Sequence, residues 1–198
     1  MEKKCEVCGR VYKRETCPYC KRLERFIRFG QYKVLNKLPK RLRDDVKQLK
    51  QPPMDSVHNY YLYGSVSTGK TVFAGQVFFD RHKESYMDNV PFAAEFVVVP
   101  ELLLKLRASF QDNMEKHLID YYSQLDLLIL DDLGVDKCSD WVKQTLYLIL
   151  NRRYENKLQT IITSNLSLNM LAKWFGDERL SRRIQQTYKI RKHTKVYQ

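Results

Sequence analysis

Gly64-Ser65-Val66-Ser67-Thr68-Gly69-Lys70-Thr71 follows the apolar run Tyr60–Tyr63 and precedes a helix-like stretch from Thr71 to about His82. The octet fits the phosphate-loop pattern G-x-x-x-x-G-K-[ST]. A strand that feeds a glycine-containing turn and then a helix N-terminus points backbone N–H groups at a bound phosphate. In such a loop Lys70 reaches the β- and γ-phosphates, and the Thr71 hydroxyl sits on magnesium. Alone, the octet supports only the binding of a nucleoside triphosphate.

Further along, Leu127-Leu128-Ile129-Leu130-Asp131-Asp132 reads as a buried strand ending in two carboxylates. Asp131 is expected near the phosphates, holding Mg²⁺ through water, and Asp132 is placed to orient or deprotonate an attacking water. An apolar strand that merely ends in an acidic turn is common, so the pairing with the loop carries the reading. The next strand, Thr160–Thr163, continues into Ser164-Asn165. Asn165 is either a plain turn residue or a hydrogen-bond partner of the γ-phosphate or the water.

The elements between these motifs alternate. Strand Asn59–Tyr63 and its helix are followed by strand Ala94–Val99 and a helix from Leu102 to about Phe110. A helix near Asn113–Tyr122 then leads to strand Leu127–Leu130. An amphipathic helix from about Asp140 to Tyr154 buries Val142, Leu146, Ile149 and Leu150, and a final helical region follows strand Thr160–Thr163. Alternation of this kind predicts an α/β fold, a parallel sheet with helices on both faces and nucleotide at the carboxyl ends of the strands.

The N-terminus is built differently. Cys5-x2-Cys8 and Cys17-x2-Cys20 suit tetrahedral Zn²⁺ held by four thiolates, with Gly9 and Pro18 fitting the tight turns. A segment this short buries no core of its own, and metal binding replaces one. Cys17-Pro18-Tyr19-Cys20 by itself could be a redox pair, but no strand precedes it. Disulfides do not suit a chain without an export signal. Cys138 reads as an ordinary unpaired cysteine. A helix is expected from Lys21 to Phe29, with Leu23, Phe26 and Ile27 on one side. A second starts near Pro39, with Leu42, Val46 and Leu49 at helical spacing. Gln51-Pro52-Pro53 marks the expected boundary between a four-cysteine, basic helical domain (1–50) and the nucleotide-binding domain (51–198).

Charge follows the same division. Residues 1–50 hold 16 Lys/Arg against 6 Asp/Glu, a balance of +10; residues 51–178 carry −5 and residues 179–198 carry +7. Basic blocks at both ends favour nucleic acid through counterion release, or are simply solvated faces. No run approaches a membrane span, and Met1-Glu2-Lys3-Lys4-Cys5 leads into no apolar region, so a cytoplasmic location is expected. Near the C-terminus, Arg179-Leu180-Ser181-Arg182-Arg183-Ile184 packs three arginines into five positions. A ring or filament of ATPases uses such an arginine to reach the neighbour's γ-phosphate. DNA phosphate contacts or a plain basic helix are the alternatives.

With these motifs quoted, residues 54–184 resemble the AAA+ ATPases of the DnaC-type helicase loader family, which includes the IstB-like transposition ATPases. The resemblance runs through Tyr61-Leu62-Tyr63-Gly64-Ser65, the phosphate loop and Phe96-Val97-Val98-Val99-Pro100-Glu101-Leu102-Leu103. It continues through Leu128-Ile129-Leu130-Asp131-Asp132-Leu133-Gly134 and Trp141. Asn151-Arg152-Arg153-Tyr154 and Thr160-Ile161-Ile162-Thr163-Ser164-Asn165-Leu166 are its most specific part. It implies an AAA+ fold and an ATP switch that escorts a hexameric, DnaB-type replicative helicase onto single-stranded DNA. An N-terminal domain would grip the helicase, and the ATPase domains would self-associate through shared sites, with Arg183 as the finger. The helical pair from Glu101 to Tyr122 is similar in placement to an insert that touches single strands, making Lys105, Arg107 and Phe110 DNA candidates; ordinary helix surface and core is the other reading. A transposition ATPase acting on duplex DNA, or a zinc-bearing adaptor that binds ATP with little turnover, remain alternatives. Three positions depart from the pattern. Ser67 stands where such loops usually have glycine, Arg182 replaces a serine before the finger, and few residues remain for a helical lid.

Overall fold

The computed structural model describes residues 2–48, 57–110, 114–135 and 139–194. Four thiols organise its N-terminus. Strands β1 (Lys3–Lys4) and β2 (Val11–Tyr12) pair antiparallel around a turn in which Gly9 adopts φ +69°, a left-handed conformation that glycine takes without strain. Helix α1 (Pro18–Arg25) opens on proline and passes through a π-turn (Phe26–Gly30) into α2 (Gln31–Asn36). A 3₁₀ turn (Lys40–Leu42) then leads into α3 (Arg43–Gln48).

The expected one-sided helix from Lys21 to Phe29 is only partly realised. Phe26 is buried, whereas Ile27 is 59% exposed because the π-turn re-phases the helix after Arg25. Leu42 and Val46 are buried as expected; Leu49 and the Gln51-Pro52-Pro53 boundary lie outside the described residues. Phe26, Val34, Leu35, Leu38, Leu42 and Val46 share one hydrophobic cluster with Tyr60, Leu62, Phe73, Phe78 and Ile161. The packing of residues 26–46 is thus continuous with that of the sheet.

That sheet has five parallel strands: β3 (Asn59–Tyr63), β4 (Ala94–Val98), β5 (Leu127–Leu133), β6 (Gln159–Ser164) and β7 (Tyr188–Lys192), in the order β4-β5-β6-β3-β7. Helix α4 (Lys70–Asp88) packs on one face with α2 and α3, against Tyr60, Leu62, Leu127, Ile129 and Ile161. The other face, presenting Tyr61, Leu128, Leu130 and Ile162, is covered by α5 (Val99–Ala108), α6 (Glu115–Gln124), α7 (Asp140–Glu155), α8 (Leu168–Phe175) and α9 (Glu178–Thr187). Burial on both faces is why β5 opens on the continuous apolar run Leu127–Leu130.

Two expectations shift. The helix after the phosphate loop runs on to Asp88 because Met87 is buried and Asn89, at φ +58°, supplies a left-handed C-cap. The final region is not helical throughout: Tyr188–Lys192 forms edge strand β7 beside β3. Its charged run Lys189-Ile190-Arg191-Lys192 carries no core signal, since an exposed edge strand needs none and lysines discourage further pairing. Among the described residues no helix follows β7, and none is long and apolar enough to cross a membrane.

Candidate nucleotide site and four-cysteine centre

The carboxyl ends of β3, β5 and β6 meet at one cavity of about 360 Å³. Val66, Ser67, Thr68, Gly69, Lys70 and Thr71 line it from the phosphate loop, and Asp132 and Asn165 line it from the ends of β5 and β6. The loop is held tightly. Gly69 (φ +82°) turns the chain into α4, and a side chain at Gly64 would put its Cβ 2.1 Å from the His193 carbonyl oxygen. Lys70 is 5% exposed; its ammonium donates to the carbonyls of Gly64 (2.8 Å) and Ser65 (2.6 Å) and to Asn165 Oδ1 (3.1 Å). Burial lowers its pKa, with Asp132 and Asp131 opposing. The structure thus brings together Lys70 and Asn165, separated by 95 positions in the chain.

Ser67 adopts φ +61°. The departure from glycine at this position therefore has a physical consequence: an L-residue in the left-handed region is held there by the surrounding loop at a cost of about 1 kcal/mol or more. Ser67→Gly is expected to raise unfolding stability by about 1 kcal/mol, read as a higher urea midpoint at unchanged slope.

Asp131 is fully buried at the end of β5. Its Oδ1 accepts from the hydroxyls of Thr71 (2.9 Å) and Thr163 (2.6 Å), while Oδ2 has no hydrogen-bond partner. Burial pushes its carboxyl above the usual carboxylate range, the Thr163 hydroxyl pulls it back, Asp132 pushes it up again, and Thr71 and Arg41 also lower it. A shift in register between Leu130 and Leu133, with Asp132 at φ +60°, marks a bulge in β5, after which Leu133 pairs with Ser164 of β6. Bulges re-aim side chains beside active sites. Here Asp131 is buried beneath the loop and Asp132 lines the cavity. Thr163 braces the bulge, accepting from the Asp132 N–H (2.9 Å) while donating to Asp131. Sequence reasoning gave Thr163 no site role; the available signal was a hydroxyl in the middle of a buried strand.

A hydroxyl and a buried carboxylate with one unsatisfied oxygen form the hard-oxygen set that suits Mg²⁺. Bound there with ATP, the ion would offset the phosphates' negative charge. Thr71 and Asp131 would hold it, and the loop from Gly64 to Thr71 would cradle the phosphates.

The remaining candidates lie elsewhere. Arg183 does not line this cavity; its guanidinium packs over the rings of Tyr147 (5.7 Å) and Tyr154 (5.2 Å) and donates to the Tyr147 hydroxyl (3.3 Å). Arg179 pairs with Asp177, and Arg182 with Glu178. Lys105 donates to the Tyr122 hydroxyl, whereas Arg107 and Phe110 both pack on Trp141 at centroid distances of 5.0 and 5.4 Å. Trp141, named in the sequence only for its family resemblance, is thereby added to that group.

At the other end, the Sγ atoms of Cys5, Cys8, Cys17 and Cys20 all lie within 4.8 Å of one another. Cys5–Cys20 and Cys8–Cys17 are each 3.6 Å apart. A disulfide needs about 2.05 Å, whereas Zn–S bonds of about 2.3 Å at tetrahedral angles place sulfurs about 3.8 Å apart. A hydrogen bond from the Cys8 backbone holds the Cys5 thiol down to about 7, while desolvation and the neighbouring cysteines push Cys20 up to about 12. A divalent cation would let all four ionise, so the cluster fits zinc. Purified protein is expected to carry one Zn²⁺ per chain; chelation or Cys17→Ser should release it and lower the thermal midpoint, checked by metal analysis and calorimetry. Cys138 lies outside the described residues.

A five-stranded parallel sheet with a phosphate loop after β3 and an acid pair at the end of β5, with β6 inserted between those two strands, defines a P-loop protein of the AAA+ class. The family described as IstB-like ATP binding protein matches residues 18–196, and the chain belongs to that family. It is 28% identical over 116 residues to the replicative helicase loader DnaI of Bacillus subtilis, matching 58% of this chain and 35% of that protein. It is also 28% identical over 109 residues to an ATP-binding protein of insertion sequence IS1162 from Pseudomonas fluorescens, with 55% of this chain and 44% of that protein covered. Both matches therefore span less than half of the relative's length. A crystal structure of the DnaC helicase loader superposes with a TM-score of 0.57 over 84% of this chain and 99% of that one, at 20% identity, a likeness of fold.

Proposed function

We propose that this protein is a cytoplasmic ATPase that delivers a hexameric replicative helicase to single-stranded DNA. The observation that carries the reading is the attachment of the four-cysteine centre to helices packed on α4, the helix that begins with Lys70 and Thr71. A partner held at the N-terminus is thereby tied to the nucleotide site through continuous packing. The loader relatives support the same role. In this reading Asp132 and Asn165 position the attacking water, and Arg183 completes the site of a neighbouring subunit. Arg107, Phe110 and Trp141 offer a cation and two aromatic faces to single-stranded bases, with Lys105 nearby. Val7, Ile27, Phe29 and Tyr32, each more than half exposed, are the helicase-facing candidates.

The test is co-elution of the full chain with a DnaB-type hexamer, with and without ATP. Phe29→Ala with Tyr32→Ala should abolish co-elution while leaving nucleotide binding intact. The similarity to an insertion-sequence protein supports a second reading, an ATPase that remodels duplex DNA. Stable duplex binding without helicase contact would favour it and sink the loader role.

A further inference from the structure

Arg41 reaches the candidate metal site from outside the phosphate loop. It sits in the 3₁₀ turn before α3, anchored where Leu38, Leu42 and Val46 bury themselves on α4. The fit is close: a side chain at Gly75 would place its Cβ 3.1 Å from Val46 Cγ2 and 3.7 Å from Leu42 Cδ1. Arg43 braces the turn, donating to the carbonyls of Leu38 and Asn36 (both 3.1 Å). From this base the Arg41 guanidinium lines the nucleotide cavity and comes within 3.6 Å of Asp131 Oδ2. That is the carboxylate oxygen left without a hydrogen bond, while Oδ1 is taken by Thr71 and Thr163. The Arg41 side chain is 65% exposed, so it is free to swing away, whereas Asp131 is fully buried and fixed.

We propose that Arg41 is a cationic placeholder, neutralising Asp131 in the nucleotide-free protein and displaced when Mg²⁺ enters with ATP. Two cations cannot share one buried carboxylate oxygen without strong mutual repulsion. Displacement frees the turn from the site, and that turn is continuous with α2, α1 and the four-cysteine centre. Nucleotide occupancy is thereby reported to the N-terminal segment. The inference rests on the ATP-binding reading of the cavity.

The test uses the full chain and a fluorescent ATP analogue, titrated with Mg²⁺. Arg41→Gln removes the competing charge. It should lower the Mg²⁺ concentration for half-maximal tightening of nucleotide binding about twofold to fivefold, the scale of one partly exposed ion pair. Arg41→Lys, which keeps the charge, should stay near wild type. In hydrogen exchange, residues 37–47 of wild type should exchange faster on adding Mg²⁺ and nucleotide, and those of Arg41→Gln should change little. An unchanged or higher Mg²⁺ requirement in Arg41→Gln overturns the proposal. So does an equal loss of nucleotide affinity in EDTA and in Mg²⁺, which would make Arg41 a phosphate-holding residue. Lys70→Ala separates the two levels of argument. If wild type binds the analogue and Lys70→Ala does not, the cavity reading stands even where the placeholder fails. If wild type binds none, both fall.

Discussion

Arg153→Ala is expected to destabilise the protein by about 3–5 kcal/mol, a large share of the roughly 5–15 kcal/mol that holds an ordinary domain folded. The side chain is fully buried on α7. Its Nε donates to Thr160 Oγ1 (2.9 Å), Nη1 to the carbonyls of Tyr122 (2.9 Å) and Leu125 (2.7 Å), and Nη2 to the Gln159 carbonyl (2.5 Å). One guanidinium thus ties α7 to the end of α6, the entry to β5 and the start of β6. Burial pushes its pKa down to about 10, so it remains charged at neutral pH. Truncation leaves a cavity and buried carbonyls stripped of their donors. Arg153→Lys is expected to recover only part of the loss, because an ammonium cannot reproduce a planar fork. Denaturant unfolding of the three proteins measures this, and a loss below about 1 kcal/mol in Arg153→Ala would show that the network contributes little. The arginine lies at the opposite end of the sheet from the cavity, which explains a motif that resembles the family so specifically yet touches no site.

Lys70→Ala is expected to lower ATP turnover about a hundredfold or more, with weakened nucleotide binding. The ammonium is already desolvated and held by two loop carbonyls and Asn165 Oδ1, so a phosphate replaces those acceptors with little reorganisation. Hydrolysis measured with and without single-stranded DNA tests the assignment. Equal turnover in wild type and Lys70→Ala would remove the loop from the mechanism. The fold should survive, because the lost contacts are to loop carbonyls and Asn165 rather than to the core. A matching melting temperature separates this variant from Arg153→Ala.

Much of the site was legible because its chemistry is local in sequence. A phosphate loop needs its glycine, lysine and threonine at set offsets from one strand end, and four thiolates for one zinc need two close pairs. Asp131 and Asp132 were legible as a pair at a strand end, but their different surroundings were not. The bulge that buries one and exposes the other to the cavity depends on pairing with β6 and on Thr163, 31 or 32 positions away. Strand β7 left no apolar signature because it is an exposed edge. Arg41 read as one more basic residue, since nothing local shows that its turn folds over the phosphate loop.

By itself, the sequence determined the alternating α/β class, the phosphate loop, the acidic strand end, the four-thiol cluster and the serine at a position where such loops usually have glycine. Each follows from residue types at short fixed spacing or from burial written as continuous apolar strands. Only the tertiary structure decided that residues 26–46 share the core of the sheet. It also decided that Lys70 meets Asn165, that Arg153 is a buried brace and that Arg41 faces Asp131. Those contacts join positions tens of residues apart, and their geometry is set by how strands order and helices pack, which no local pattern encodes.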